Sequence, residues 1–175
     1  MKSTAKNITV TAMGIALFVA MSLCIQVPVF ENYYLCLGYV AMTAYCYIVG
    51  TISGTLVGTM GVVLYCILTG GLNGMPGWAI GNLLIGIVMG ITFKYLKKLK
   101  KPWLEFIISS VIIIITTAIA MLIIKSSIEY FLYREPFVFR LVKNVYAFIA
   151  DAVMIIISIP ISRTLEPHVK KLINK

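Results

Sequence analysis

Apolar residues run along this chain in blocks the length of membrane spans, and basic or polar punctuation separates the blocks. Lys2 and Lys6 precede a first block over about 8–26. A polar and aromatic stretch from Pro28 to Leu37, holding Phe30, Glu31, Asn32, Tyr33 and Tyr34, predicts a loop. From Gly38 to Thr69 the chain is apolar apart from small polar residues and glycines. A single helix over that stretch would measure roughly 48 Å against a hydrocarbon core of about 30 Å. Two short spans with a tight turn near Gly50–Gly54 are therefore predicted. Gly70, Gly71, Asn73, Gly74 and Pro76 mark the next turn. A fourth span is predicted over 77–93 and a fifth over 103–124. Ser126 to Arg140 reads as a long connection carrying Glu129, Arg134 and Glu135. The sixth span, 141–162, is predicted to stop near Pro160, ahead of a basic tail with Lys170, Lys171 and Lys175. The blocks lack the two-residue alternation of barrel strands, and open sheet edges are not viable in lipid, so the spans are helices.

Composition agrees with that pattern. The chain is 61% hydrophobic and 12% charged, where a soluble domain carries about 25% charge. The net charge of +9 does not point to nucleic acid, because the positive residues sit at the ends of apolar blocks. There they set topology and meet anionic lipid. Lys94, Lys97, Lys98, Lys100 and Lys101 fall between the fourth and fifth spans. With Lys2, Lys6, Arg163 and the tail lysines they put eleven of the fifteen basic residues on one side of a six-span arrangement. Lys125, Arg134, Arg140 and Lys143 fall on the other. Five spans would split the basic set, so the expected fold is an all-α membrane protein. Residues 1–175 would form one compact bundle of six transmembrane helices, multi-pass in the cell membrane, with both termini cytoplasmic.

Enzyme chemistry finds little support. His168, the single histidine, lies in the basic tail, which excludes a histidine-based metal site or triad in the membrane. No Walker A, HExxH or glycine-rich nucleotide loop is present. No metal or bound cofactor is expected. Cys24, Cys36, Cys46 and Cys66 form no CxxC pair and read as small buried hydrophobes, with a Cys24–Cys36 bridge across the first loop left open.

Two patterns carry functional content. Ala12, Ala16 and Ala20 share one face of the first span. Small side chains there permit close approach, either within the bundle or by a partner membrane protein. Gly50/Gly54/Gly58, Gly77/Gly81 and Gly86/Gly90 repeat the spacing. The second pattern is polar. Asp151 lies about ten residues into the sixth span, where a carboxylate costs several kcal/mol unless it is paired, protonated or wetted. Asn144 and Arg140 precede it on the same face. This stripe suits either a ligand cavity or an internal hydrogen-bond network. Trp78 and Asn82, one turn apart in the fourth span, suit a pocket wall for a planar heterocycle, although Trp78 also fits interfacial anchoring. Phe30, Glu31, Tyr33 and Tyr34 could close over such a pocket. Arg134 and Arg140 could receive a carboxylate or phosphate. Tyr39, Tyr45, Tyr47 and Tyr65 are assigned to lipid-facing or helix-packing positions.

At the level of whole segments the chain resembles an S component of an energy-coupling factor (ECF) transporter. The resemblance rests on Ala12–Ala16–Ala20, GYVAMTAYCYIVGTISGTLVG at 38–58, GVVLYCILTGG at 61–71, PGWAIGNLLIGIVMG at 76–90 and the closing ISIPISRTLEPHVKKL. It departs from members near the folate and riboflavin binders in lacking a proline in the Gly50–Gly54 turn. It also lacks an aspartate in the third span, where it reads Val62-Val63-Leu64-Tyr65. The resemblance implies high-affinity capture, from outside a bacterial plasma membrane, of a small heterocyclic vitamin or a vitamin- or nucleobase-like precursor. The pocket would be formed by the outer halves of spans four to six and the first outer loop. It further implies that the alanines dock a transmembrane coupling subunit driven by two cytoplasmic ATPases, which use the ATP. The competing expectation is a standalone secondary transporter or channel with Asp151 as an ion or proton relay, and a structural assembly protein is a third.

Overall fold

The computed structural model describes residues 2–24, 26–30, 33–99, 101–134 and 136–173. Helix α1 (Lys2–Cys24) leads into a short antiparallel hairpin, β1 (Gln26–Phe30) and β2 (Tyr33–Cys36). Then follow α2 (Gly38–Ile48), α3 (Thr51–Thr69), α4 (Met75–Leu96) and α5 (Pro102–Ala118). A π-helical segment, Ile119–Lys125, joins α5 to α6 (Ser126–Tyr133), and α7 (Phe137–Ile173) ends the described chain. The result is an all-α bundle with one two-stranded hairpin at the end where α1 and α3 finish and α4 and α7 begin. The opposite end carries the lysine-rich turn after α4.

Among the described residues, five helices are long and apolar enough to cross a membrane: Ala5–Cys24, Thr51–Thr69, Met75–Leu96, Pro102–Tyr133 and Phe137–Lys171. The protein is a multi-pass membrane protein. The turn predicted within 38–69 is present at Val49–Gly50, where Gly50 takes φ 133°, a conformation that side-chain-bearing residues rarely adopt. It leaves α2 with 11 residues, about 17 Å of helix, which is too short to cross alone.

Three boundaries differ from the sequence reading. The Pro28–Leu37 loop is largely hairpin, pairing Gln26 with Cys36 and Val27 with Leu35. The 126–140 connection is mostly helix, because the π segment carries α5 straight into α6. Pro160 and Pro167 lie inside α7 and do not end it. Membrane helices tolerate proline where packing and hydroxyls compensate. Here Ile155 and Ile159 are buried in the turns just before Pro160, and Ser158 and Ser162 donate to the carbonyls of Met154 and Ser158.

Glycines set the helix spacing. A Cβ at Gly86 would stand 2.7 Å from the Thr55 Cα, and one at Gly90 2.6 Å from the Thr51 Cα. The α3 and α4 backbones therefore touch along that face. Below the hairpin end the core is apolar, built from Met42, Val57, Ile85, Met89, Phe93 and Ile155. The lysine end is tied by charge. Tyr47 donates to Glu105 at 2.9 Å, Arg163 pairs with the same carboxylate at 3.5 Å, and Lys97 donates to Glu166 at 2.7 Å and to the Tyr47 carbonyl. The four cysteines are free thiols. Cys36, Cys46 and Cys66 are buried as expected, whereas Cys24 is exposed.

Candidate functional site

A cavity of about 390 Å³ opens at the hairpin end, enclosed by β2, the α3–α4 turn, the start of α4, the π segment with α6, and the first turns of α7. Its polar residues fall into two groups.

The floor is organised by Tyr39, which is fully buried at the start of α2. The Trp78 Nε1–H donates to the Tyr39 hydroxyl at 2.9 Å. That hydroxyl lies 2.8 Å from Asn82 Oδ1 and 2.8 Å from Asp151 Oδ2. A phenol has one proton, so it serves these two acceptors alternately. Asn82 is held from behind, its Nδ2 donating to the Gly58 carbonyl at 3.2 Å. That carbonyl is reachable because α3 and α4 pack so closely. Asp151 makes no other hydrogen bond with the described residues, and it lines the cavity while only 4% exposed. Its Oδ1 is thus an acceptor presented to whatever occupies the space.

Among the described residues the wall is cationic with one carboxylate. Lys125, Arg140 and Lys143 line it together with Glu129. Glu129 is 3.8 Å from Arg140 and accepts from Asn144 Nδ2 at 3.1 Å, and the same amide donates to Ser126 at 3.0 Å. Lys125 interacts electrostatically with Glu129 and Asp151. Tyr65 packs edge-on against Trp78, with ring centroids 5.8 Å apart, and Ser22 meets Cys36 at 3.2 Å.

Of the sequence-predicted residues, Trp78, Arg140 and Asp151 line the cavity. Asn82 and Asn144 are fully buried behind it, Asn144 donating to the lining residue Glu129 and Asn82 accepting from Tyr39. Arg134 is exposed in a left-handed turn that closes α6, away from the lining. Phe30, Tyr33 and Tyr34 belong to the hairpin strands, and Glu31 lies outside the described residues. Ala12, Ala16 and Ala20 are all exposed, on the face of α1 opposite buried Gly14 and Phe18.

The sequence reading missed Tyr39, which it assigned to packing or lipid, and Lys125 and Glu129, which it placed at or beyond the end of a span. A signal existed for the latter pair. Lys125 and Glu129 stand four apart directly after an isoleucine-rich block, as two polar residues on one helical face would. Among the described residues no group of three His, Cys, Asp or Glu side chains could hold a metal ion.

Long apolar helices enclosing a half-buried cavity with a polar floor and a charged wall define a membrane protein equipped to hold a small polar molecule. The chain belongs to the family described as ECF-type riboflavin transporter, S component, whose model matches residues 2–166. No significant match to a curated protein or to a solved structure was found.

Proposed function

We propose that the whole chain is one substrate-binding domain of an ATP-driven importer, which captures a small heterocyclic vitamin in the hairpin-end cavity. Asp151, Trp78 and Arg140 would contact the ligand, while Asn82 and Asn144 orient them. In this reading the hairpin end faces outward, both termini are cytoplasmic, and α2 with the hairpin completes a sixth crossing. Backbone that is not helical is tolerated at membrane depth where it lines a cavity, and Leu35 and Cys36 of β2 do so. Membership of a riboflavin transporter family makes riboflavin the first ligand to test.

The observation that carries the proposal is the pairing of a built cavity with an exposed alanine strip on the same small body. The strip is a smooth surface for a coupling subunit, which two ATPases would drive. The apolar core beneath Tyr39, with Met42, Ile85, Met89 and Phe93 buried, favours a binding subunit over a conducting path relayed through Asp151. Reconstitution into liposomes separates the two. The chain alone should bind riboflavin without accumulating it, and uptake should require coupling subunits and ATP. Gradient-driven uptake by the chain alone would establish the standalone transporter instead.

A further inference from the structure

Lys125 is the one cavity-lining cation whose inward placement depends on an irregular backbone. Thr117, Met121, Lys125 and Glu129 are all buried on the same side of the α5–π–α6 rod. In a regular α-helix each four-residue step turns the face by about 40°, so three steps would turn it by about 120°. The i→i+5 bonding of the π segment absorbs much of that rotation. Lys125 is the last residue of the segment, and its stem packs against Gly77 of α4, where a Cβ would stand 2.9 Å from the lysine Cγ. A side chain larger than hydrogen at position 77 would displace it. Helix irregularity and a missing side chain on the neighbouring helix therefore converge on one ammonium group, 6% exposed, at the cavity.

Across the same space stands Asp151, with an acceptor oxygen facing the cavity. Both residues line the cavity and interact electrostatically across it, so a ligand edge that enters the cavity meets both. An ammonium offers only donors and a carboxylate only acceptors. The edge that satisfies both has an acceptor beside a donor, which in a flat heterocycle is a ring C(=O)–N–H.

We propose that Lys125 is a specificity-determining residue of this cavity, pairing with Asp151 to select heterocycles that carry a ring amide or imide edge. Lys125 donates to the ring carbonyl and Asp151 accepts from the ring N–H. Cationic rings without a carbonyl are refused by Lys125, and the carboxylate of an acyclic acid is repelled by Asp151. Burying either group against a ligand that cannot pair with it is the costly outcome that enforces selection. The inference rests on the cavity being the substrate site.

The test uses the full-length protein in detergent and titrates riboflavin, N3-methylriboflavin, its 2-thio and 4-thio analogues, thiamine and pantothenate. Riboflavin should bind, and N3-methylation should weaken binding roughly 100-fold. At least one thio analogue, a poorer acceptor, should also bind less well. In Lys125→Met riboflavin affinity should fall by a similar factor, the thio penalty should vanish and the N3-methyl penalty should remain. Lys125→Arg should restore part of the loss. A lysine serving only to hold the helix would leave the thio penalty intact, and that result would overturn the proposal. So would equal binding of all the flavins by the unmodified protein, a result independent of whether any variant folds. Tight binding of thiamine or pantothenate without riboflavin would refute the ring-edge selection but leave the substrate site standing. If none of the probes bound and coupled uptake also failed, the substrate-site reading would fall with it.

Discussion

Tyr39 and Asp151 lie 112 positions apart in the chain and meet through a 2.8 Å hydrogen bond at the base of the cavity. The same phenol is the acceptor for Trp78 and lies beside Asn82, so it joins α2, α4 and α7 at one oxygen. Tyr39→Phe removes that oxygen and leaves an indole N–H, an amide oxygen and a carboxylate short of a partner in a buried place. We expect a stability loss of about 1–3 kcal/mol and at least a tenfold weaker affinity for riboflavin. Thermal unfolding in detergent and a binding titration measure the two. Unchanged values in both would mean that the hub is not formed.

The cavity contains its own reporters. Cys36 and Cys66 line it, whereas Cys24 is exposed at the end of α1. In a protein keeping only Cys66, saturating riboflavin should slow labelling by a small water-soluble maleimide several-fold. Labelling of a protein keeping only Cys24 should not change. Equal rates for Cys66 with and without ligand would place the ligand elsewhere.

Gly86 has no room for a side chain, since its Cβ would press on the Thr55 backbone. Gly86→Val should therefore push α3 from α4 and cost about 1–3 kcal/mol or more. Because the Asn82 amide reaches the Gly58 carbonyl across the same contact, riboflavin affinity should fall as well. Binding that is retained in a destabilised protein would show that the Asn82 contact is dispensable.

Ala16 is exposed on α1 and is not among the residues lining the cavity. Ala16→Trp should leave riboflavin binding within about twofold while abolishing ATP-driven uptake in the coupled system. Survival of uptake would remove the docking role from the alanine strip.

The π segment admits a length test. Ile123 points outward, 55% exposed. Deleting it lets the rod close as a regular α-helix with Lys125 and Glu129 still inward, so riboflavin affinity should hold within about tenfold. Inserting one alanine after Ile123 turns both residues by about 100° and should abolish binding. The reverse order would show that the π geometry itself, and not the facing of Lys125, matters.

The spans around 8–26 and 77–93 were legible because partition into lipid is a sum over neighbouring residues, which a short window of sequence contains. The tight turn at Gly50 was legible for the same reason: one helix over 38–69 would overshoot the membrane. Asp151 and Trp78 stood out because polar and amphipathic side chains are conspicuous in an apolar span. What the sequence determined by itself is therefore membrane residence, the approximate spans and a few costly polar positions.

Tertiary structure decided the rest. Nothing local distinguishes Tyr39 from Tyr45, yet helix rotation buries one against Asp151 and leaves the other only partly covered. Lys125 read as a residue at the edge of a span until the π segment and Gly77 turned it into the cavity. The alanine spacing allowed internal or external contact, and the rotation of α1 left it outside. Each outcome depends on how one helix is turned and how closely it approaches another. Those angles and distances are set by packing among residues far apart in the chain, which no local pattern records.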